Sequence, residues 1–465
     1  MPRGGHWERC RLPGFAPDEL TAGSADARDR AVDLYRVGLL LPVTAPPIAD
    51  GALAVAAGRV VAMGPAREVL AAHPNARRVA ELPGAVLLPG LVNAHCHLGL
   101  TFAQGVLPPT EDFAAWIRRL LPLRRSWTED ELRLSLLAGL RETLRGGCTL
   151  VGEILTETES DAGALLAEFA PPLRIRAFHE ALGWLASDRE AALQRVRALD
   201  PAPLDFAPGE LRHGLSPHAP YSTHPELYAA LFDDAAARGW PLSTHLSETA
   251  DELDYQREDR GALSALRARV GWDAEGPSPW CGGRTVDAWL AEHPPGAPLQ
   301  LVHGTWLDAE AVARVAAMER VSVAYCPGSV AWFHGGRDPH PVRALLDAGV
   351  TVGLGTDSLA SSPTLNLPLT ATLARRAHPD LEPLELLWML TRGGAVSLDW
   401  AEAGELRAGG PADFVAFSLA GVRDASRLGA AEAVEGALLS GYRVPGLHVI
   451  GGIAHAMAVL APFPR

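Results

Sequence analysis

Lysine is absent from this chain. All 41 basic residues among its 465 residues are arginine. A lysine Schiff base, a phosphate-binding P-loop lysine and a carboxylated lysine that bridges two metal ions are therefore excluded. Any catalysis must depend on other side chains.

Cysteine is scarce and scattered. The five cysteines are odd in number and include no Cys-x-x-Cys pair: Cys10, Cys96, Cys148, Cys281 and Cys326. This pattern argues against a disulfide framework and against a cysteine-type zinc finger. It predicts reduced thiols in an intracellular protein.

Long apolar segments and an excess of positive charge are also lacking. The run VGLLLPV is far shorter than the ~20 residues of a membrane span, and the start MPRGGHWERC has no signal-peptide core. The 55 acidic and 41 basic residues give a net charge of −14, which favours neither nucleic acid nor a membrane surface as a partner. We predict a cytoplasmic protein with a small-molecule substrate, and a homodimer is left open.

The pattern of apolar residues divides the chain into four parts. Residues 1–34 show no clear period and are predicted to be a mobile extension. Short strand-like runs fill residues 35–88 and return in residues 401–465. Between them, residues 89–400 alternate strand-length apolar runs with longer helical patterns, such as the helix predicted after its N-cap Thr128.

The central part contains eight strand-like runs, which predicts an α/β fold with a (β/α)8 TIM barrel. The runs are LPGLVNAHCH, CTLVGEI, LRIRAFHEALG, LRHGLSPHAPYS, PLSTHLSE, LQLVHGTW, VSVAYCPGS and VTVGLGTDS. The carboxyl ends of such strands meet at one mouth of the barrel, where active sites lie.

Five of these runs end in a residue able to bind a metal or transfer a proton: His95 with His97, His218, His245, His303 and Asp357. His95 and His97 are two residues apart on a strand, so their rings share one face. Imidazoles with a carboxylate suit zinc or ferrous iron. Each motif alone has a structural alternative: a lone His-x-His pair, a turn at GTDS, or a buried barrel histidine at VHGT.

The ordered segments LLPGLVNAHCHLGLT, SPHAPYST, STHLSET, LVHGTW, YCPGS and VGLGTDSLAS resemble the amidohydrolase superfamily. The similar branch is that of the cytosine/adenine-type aminohydrolases, which includes chlorohydrolases, S-adenosylhomocysteine deaminases and aminofutalosine deaminases. The resemblance implies that the barrel is distorted and that the two flanks of the chain form a small β-sandwich.

The resemblance also implies a role for each matching residue. His95, His97, His245 and Asp357 would bind one divalent metal ion, zinc or alternatively iron, and the lack of lysine agrees with a single metal. Glu248 would carry protons and Asp357 would take one from the attacking water. His303 would stabilise the developing charge, and His218 would contact the substrate.

Three positions depart from the family pattern. Cys96 replaces a threonine, Val330 replaces an asparagine, and no acid follows TDS in LASSPTLNLPLT. These departures spare the metal ligands and the acid–base pair, but they leave the substrate open. Phe102, Trp116 and Trp332 lie in loops predicted to cover the mouth, where they would stack on a heterocycle or simply pack the loops.

The predicted function is hydrolytic deamination of an adenine-nucleoside-like heterocycle with release of ammonia, by an enzyme acting on carbon–nitrogen bonds other than peptide bonds. The alternative within enzymes is hydrolysis of another C–N or C–Cl bond, as in triazine hydrolysis or ring opening. A non-catalytic scaffold is a third alternative, which loss of metal ligands would mark; here every ligand is retained.

Overall fold

The structure is a computed structural model that describes residues 32–156, 166, 169, 171–200, 202–281 and 285–455. Most of the predicted N-terminal extension, residues 1–31, lies outside the described residues. The strands are β1 Asp33–Leu40, β2 Ile48–Ala56, β3 Arg59–Pro65, β4 Arg77–Pro89, β5 Leu91–Cys96, β6 Cys148–Leu155, β7 Arg174–Ala181, β8 Leu204–Phe206, β9 Gly209–Pro217, β10 Leu242–Leu246, β11 Leu299–His303, β12 Val321–Tyr325, β13 Thr351–Leu354, β14 Phe414–Ser418, β15 Leu447–Ile450 and β16 Ile453–His455.

The helices mostly follow barrel strands. They are α1 Ala66–Ala72, α2 Phe113–Arg125, α3 Glu129–Arg145, α4 Ala186–Arg197, α5 Pro225–Arg238, α6 Ala250–Glu258, α7 Gly261–Arg269, α8 Val286–Glu292, α9 Ala309–Ala317, α10 Pro327–Phe333, α11 Val342–Asp347, α12 Leu367–Ala377, α13 Pro383–Met389, α14 Arg392–Ser397 and α15 Ala430–Leu438. A 3-10 helix spans Leu98–Ala103. The described residues include no helix that is long and apolar enough to cross a membrane.

Eight parallel strands form the barrel, in the order β5-β6-β7-β9-β10-β11-β12-β13. A parallel bridge between Cys96 and Asp357 joins the last strand end to the first. Each of these strands overlaps one of the eight predicted runs, with β6 and β9 extending one or two residues beyond theirs, so the (β/α)8 prediction is confirmed. The short strand β8, which pairs antiparallel with β9, was not predicted.

Below the mouth, Ala94, Val302, Ala324 and Cys326 form one buried apolar cluster, and the buried amide of Gln300 donates to the carbonyl of Ala94 at 2.9 Å. Outside the strands, the large core surrounds the barrel with leucine, valine and aromatic side chains of the helices. The interior is therefore a packed core rather than a channel, as barrels of this size require.

The helix predicted after Thr128 is α3. The Thr128 hydroxyl accepts the backbone N–H of Glu131 at 3.2 Å, and the Glu131 carboxylate accepts the Thr128 N–H at 2.7 Å. This reciprocal capping box satisfies amide groups that the first helical turn leaves without partners.

The two flanks build a second, separate sheet, as predicted. Its strand order is β16-β15-β14-β4-β1-β2-β3, with only β1 and β4 parallel to each other. Strands from both flanks share one apolar cluster that includes Tyr35, Leu53, Phe414 and Val449. The edge strand β3 also contacts the segment that leads into β14, because Arg59 forms a bridge with Pro411. The domain bounds 35–88, 89–400 and 401–465 remain our proposed division.

Candidate active site

Four predicted metal ligands come together at the barrel mouth. The Nε2 atoms of His95 and His97 each lie 3.8 Å from Oδ1 of Asp357. The Nε2 atoms of His97 and His245 are 3.3 Å apart. Three strand ends, those of β5, β10 and β13, therefore aim their donor atoms at one point, as the convergence of barrel strands requires.

Hydrogen bonds to the backbone set the orientation of His245. Its Nδ1 lies 3.0 Å from the carbonyl oxygen of His218, which fixes Nδ1 as the protonated nitrogen. The lone pair of Nε2 is then free to bind a metal, in the usual arrangement of a metal-binding histidine. The backbone N–H of His245 donates to the same oxygen at 2.8 Å.

Asp357 is held at the seam that closes the barrel. Its Oδ2 accepts the hydroxyl of Ser361 at 2.8 Å, and its backbone N–H donates to the carbonyl of His95 at 3.1 Å. Its φ of +56° lies in the left-handed region, which an aspartate seldom adopts. Strained backbone of this kind is often found at functional sites.

The electrostatics of the cluster favour neutral imidazoles. Burial, followed by the neighbouring histidines, lowers the pKa values of His95 and His97 well below the ordinary value. Burial also lowers the pKa of His245 to about 4. Neutral imidazole is the form that binds metal.

The residues fit a divalent metal ion. Both ring nitrogens of His95 are buried without a hydrogen-bond partner, although buried polar atoms nearly always have one. His95, His97 and Asp357 place donor atoms within 4.8 Å of one another, and so do His95, His245 and His303. Three imidazoles and a carboxylate form a donor set suited to zinc or iron.

Glu248 and His303 stand beside the ligands. Oε1 of Glu248 lies 3.5 Å from Nε2 of His303, and these two residues form a group with Asp357 whose donor atoms are within 4.8 Å of one another. Burial, followed by the charges of Asp357 and Glu252, raises the pKa of Glu248 well above its usual range. The arrangement allows Glu248 to hold a proton near neutral pH and to donate it.

Two further residues support Glu248, and sequence reasoning missed both. The carboxylate of Glu252, buried in α6, accepts the backbone N–H groups of Ser247 and Glu248 at 2.9 and 3.0 Å. The hydroxyl of Ser329 in α10 lies 3.5 Å from Oε1 of Glu248. The sequence does contain a signal for Glu252, because an acid four residues after Glu248 can accept the backbone N–H groups of the turn. Ser329 follows a strand far along the chain, so no local pattern predicts its contact with Glu248.

The predicted substrate residue His218 lies next to the metal ligands. Its Nδ1 is 2.5 Å from the hydroxyl of Ser222, and its ring centre is 4.9 Å from that of His245. Its Nε2 lies 3.8 Å from Oε1 of Glu180, a buried acid at the end of β7. Sequence reasoning missed Glu180, although it ends the third strand-like run.

The predicted aromatic residues occupy different positions. Trp116 stacks on Phe113 with ring centres 5.7 Å apart, and Phe333 meets both rings edge-on at 5.1 to 5.2 Å. Phe113 in turn contacts Tyr221, which lies against His218 at 5.6 Å. Trp116 is thus part of an aromatic group that continues to the mouth.

The contacts of Phe102 and Trp332 are with residues outside the cluster of proposed metal ligands. The ring of Phe102 is 40% exposed and lies edge-on to Trp127. Trp332 is half-buried in α10, and its carbonyl accepts the backbone N–H of Thr110 at 3.0 Å, which joins α10 to the loop before α2. Substrate contact by these two residues stays a prediction.

The chain is similar to several known proteins. A model of the amidohydrolase family matches residues 86–443. The chain is 31% identical to a 5-methylthioadenosine/S-adenosylhomocysteine deaminase of Nitratidesulfovibrio vulgaris, over 80% of each chain. It is 29% identical to hydroxydechloroatrazine ethylaminohydrolase of a Pseudomonas species, over 72% of this chain and 71% of that one.

A solved structure shares the fold. The crystal structure of Helicobacter pylori aminofutalosine deaminase, in complex with methylthio-coformycin, superposes with a TM-score of 0.76. The match covers 91% of this chain and 99% of that chain at 19% sequence identity. At that identity the likeness speaks for the fold, and it includes the flanking sheet as well as the barrel.

Proposed function

The chain belongs to the amidohydrolase family and acts on carbon–nitrogen bonds other than peptide bonds; we propose that it is a metal-dependent deaminase of an adenine-nucleoside-like substrate. One observation carries the proposal. The four-residue donor set and the Glu248–His303 pair lie together at one mouth, with Oε1 of Glu248 only 3.5 Å from Nε2 of His303.

One divalent metal ion, with zinc preferred over iron, is proposed at His95, His97, His245 and Asp357. When bound, the metal supplies a Lewis acid that activates water at neutral pH. The unsatisfied ring nitrogens of His95 and the neutral state of the three imidazoles support this assignment.

Proton transfer is assigned to two carboxyl groups. Asp357 accepts the proton that the attacking water gives up as its oxygen bonds to the ring carbon. Protonated Glu248 donates to the ring nitrogen beside that carbon, which removes the aromaticity of the ring. The burial that raises the pKa of Glu248 supports this role, because general acids work best when their pKa is near the operating pH.

The remaining site residues orient the reacting atoms. His303 donates from Nε2 to the oxygen that gains negative charge, as preorganised donors do at developing oxyanions. Asp357 then passes the proton it took from the water to the amino group, the C–N bond breaks, and ammonia leaves. The added hydroxyl becomes a carbonyl, and its proton returns to Glu248. His218, with Tyr221 beside it, is assigned to contact the substrate.

The adenine-nucleoside class is supported by the relative from Nitratidesulfovibrio vulgaris, whose name gives 5-methylthioadenosine and S-adenosylhomocysteine as substrates. The partly exposed ring of Trp116, supported by the buried rings of Phe113 and Phe333, supports an apolar contact near the mouth for a bulky nucleoside. The Pseudomonas relative supports a second candidate, hydrolysis of an amino substituent on a triazine ring.

A substrate panel separates these candidates. Ammonia release is measured with adenosine, methylthioadenosine, S-adenosylhomocysteine, aminofutalosine, guanine and cytosine, and amine or chloride release is measured with triazines. The proposal predicts kcat/KM of about 10⁴ M⁻¹s⁻¹ or more for at least one adenine nucleoside. Such turnover only on triazines, guanine or cytosine would contradict it and leave the hydrolase assignment intact.

The cytoplasmic location, the lack of nucleic-acid or membrane partners and the homodimer remain predictions from the sequence. Gel filtration with light scattering measures the oligomeric state directly.

A further inference from the structure

The loop between α10 and α11 carries a buried histidine at each end, His334 and His340. Nε2 of His334 lies 3.1 Å from the carbonyl oxygen of Glu248, and Nε2 of His340 lies 2.7 Å from that of His303. A carbonyl oxygen only accepts, so both imidazoles donate. The two bonds reach the backbone of the two residues assigned to proton donation and charge stabilisation.

We propose that His334 and His340, named here the histidine bracket, are positioning residues that hold Glu248 and His303 in register for the reaction. Neither histidine touches the reacting atoms in this account. The inference rests on the proposed function, since it assigns the bracket a purpose in that reaction.

The backbone held by the bracket is strained. His303 has a φ of +69° and the next residue, Gly304, has a φ of +68°. Ser247, just before Glu248, also lies in the left-handed region at +53°. Residues other than glycine disfavour this region, so such a backbone persists only where surrounding bonds fix it.

The two held loops are also bonded to each other. The N–H of Gly304 donates to the carbonyl of Leu246 at 2.9 Å, and the N–H of Trp306 donates to that of Ser247 at 3.1 Å. These two bonds are accepted by the carbonyl oxygens of Leu246 and Ser247, which precede Glu248. The histidine bracket instead donates to the carbonyl oxygens of Glu248 and His303. Together they tie the ends of β10 and β11 to a third element.

The bracket is itself anchored by Asp338. Its carboxylate accepts the hydroxyl of Tyr325 and the backbone N–H of His340, the latter at 3.0 Å. Nε2 of His378, at the end of α12, lies 3.3 Å from the same carboxylate. The ring of Tyr325 also lies 4.2 Å from that of His340. The position of His340 is thus fixed by β12 and α12, away from the substrate.

The test compares His340→Leu, which removes the donor, with His340→Gln, whose side-chain amide can still donate. Removing the donor is expected to lower kcat about 10- to 100-fold, as small misplacements of reacting groups do, with KM within a few-fold and metal content unchanged. Amide exchange at Gly304 and Trp306 is expected to quicken about two- to tenfold. His340→Gln should restore most of both quantities.

Two further variants complete the design. His334→Leu, at the other end of the bracket, should also lower kcat while KM stays within a few-fold and metal content is unchanged. It replaces His340→Leu in the test if that variant fails to fold. His293→Leu is the matched control, because this exposed histidine also lies 3.0 Å from a backbone carbonyl, that of Trp289, outside the site. It should leave kcat and the two exchange rates at parent values.

The outcomes distinguish failure of the histidine bracket from failure of the proposed function. Parent-like kcat and exchange in both leucine variants would overturn the bracket, and so would a glutamine variant no better than leucine. If the parent releases no ammonia from any nucleoside, the proposed function fails, and the exchange rates still decide whether the bracket holds the two loops.

Discussion

At the scale of single residues, the site separates two kinds of chemistry. His95, His97, His245 and Asp357 offer the donor atoms for a metal, whereas Glu248 lies beside them with its carboxylate facing His303. Because Glu248 is not among the proposed metal ligands, its part in proton transfer should be separable from metal binding by substitution.

Glu248→Gln tests the proton transfer. The amide keeps the volume of the side chain and leaves the backbone hydrogen bonds of residue 248 in place, but it cannot exchange a proton. We therefore expect kcat to fall about 10²- to 10⁴-fold while metal content stays at the parent level. Ammonia release and elemental analysis of the same preparation provide the measurement. Glu226→Gln, at an exposed position on α5, is the control; activity of Glu248→Gln within a few-fold of the parent would remove the assigned role.

His95→Ala tests the metal site. It removes a ligand whose ring nitrogens have no other partner, so metal and turnover should be lost together. Elemental analysis after purification without added metal gives the metal content, and ammonia release gives the activity. A His95→Ala protein that retains one tightly bound metal with parent turnover would show that the ligand set is wrong.

At the scale of elements, the barrel strands could be predicted from the sequence, whereas the contacts of distant segments with Glu248 and His303 could not. The eight barrel strands are four to nine residues long, and the mainly apolar runs that contain most of their residues are bounded by turn residues, which is local information. The three-residue strand β8 has no such run. Ser329 in α10, and His334 and His340 in the loop after it, contact Glu248 and His303 from far along the chain. Neither the hydrophobic period nor the spacing of motifs encodes that approach.

The seam between β5 and β13 offers a prediction at this scale. The amide of Asn93 donates to the Thr356 hydroxyl at 2.8 Å and accepts the Thr356 backbone N–H at 3.1 Å, both in the buried interior. Asn93→Ala removes both bonds and leaves the Thr356 N–H with only its bond to the carbonyl of His95, at 3.0 Å. The loss of the two buried bonds should lower the free energy of unfolding by about 1–3 kcal/mol. Metal affinity should fall with it, because the seam orients His95 and Asp357. Denaturant unfolding and metal titration check both effects, and unchanged values for both would show that the seam does not depend on this pair.

At the scale of the whole molecule, the flanking sheet is packed on the barrel through apolar side chains of β1, β4 and β14, which belong to the main core. His448 of β15 is buried near the backbone of Leu144 and Cys148, and burial, followed by the charge of His455, lowers its pKa to about 3. Because the folded state disfavours its protonated form, its stability contribution is complete above the unfolded pKa of ~6.5 and is lost as the pH falls towards 3.

The whole protein should therefore lose stability in mild acid through His448. For this shift, linkage gives a loss of about 2 kcal/mol at pH 5 relative to neutral pH. His448→Gln, which stays neutral, should lose less between pH 7 and pH 5, whereas the exposed-site variant His293→Gln should behave as the parent. Urea unfolding at the two pH values measures the difference, and equal losses in His448→Gln and parent would exclude His448 as the acid-sensitive group.

The proposed reaction depends most on one metal ion that acts together with Glu248 and His303 on a nucleoside. Zinc titration into metal-free protein, with ammonia release from methylthioadenosine followed at each addition, tests this most directly. We expect no activity without metal, a linear rise, and a break at one equivalent per chain. Full activity in the metal-free protein, or a break at two equivalents, would contradict the account.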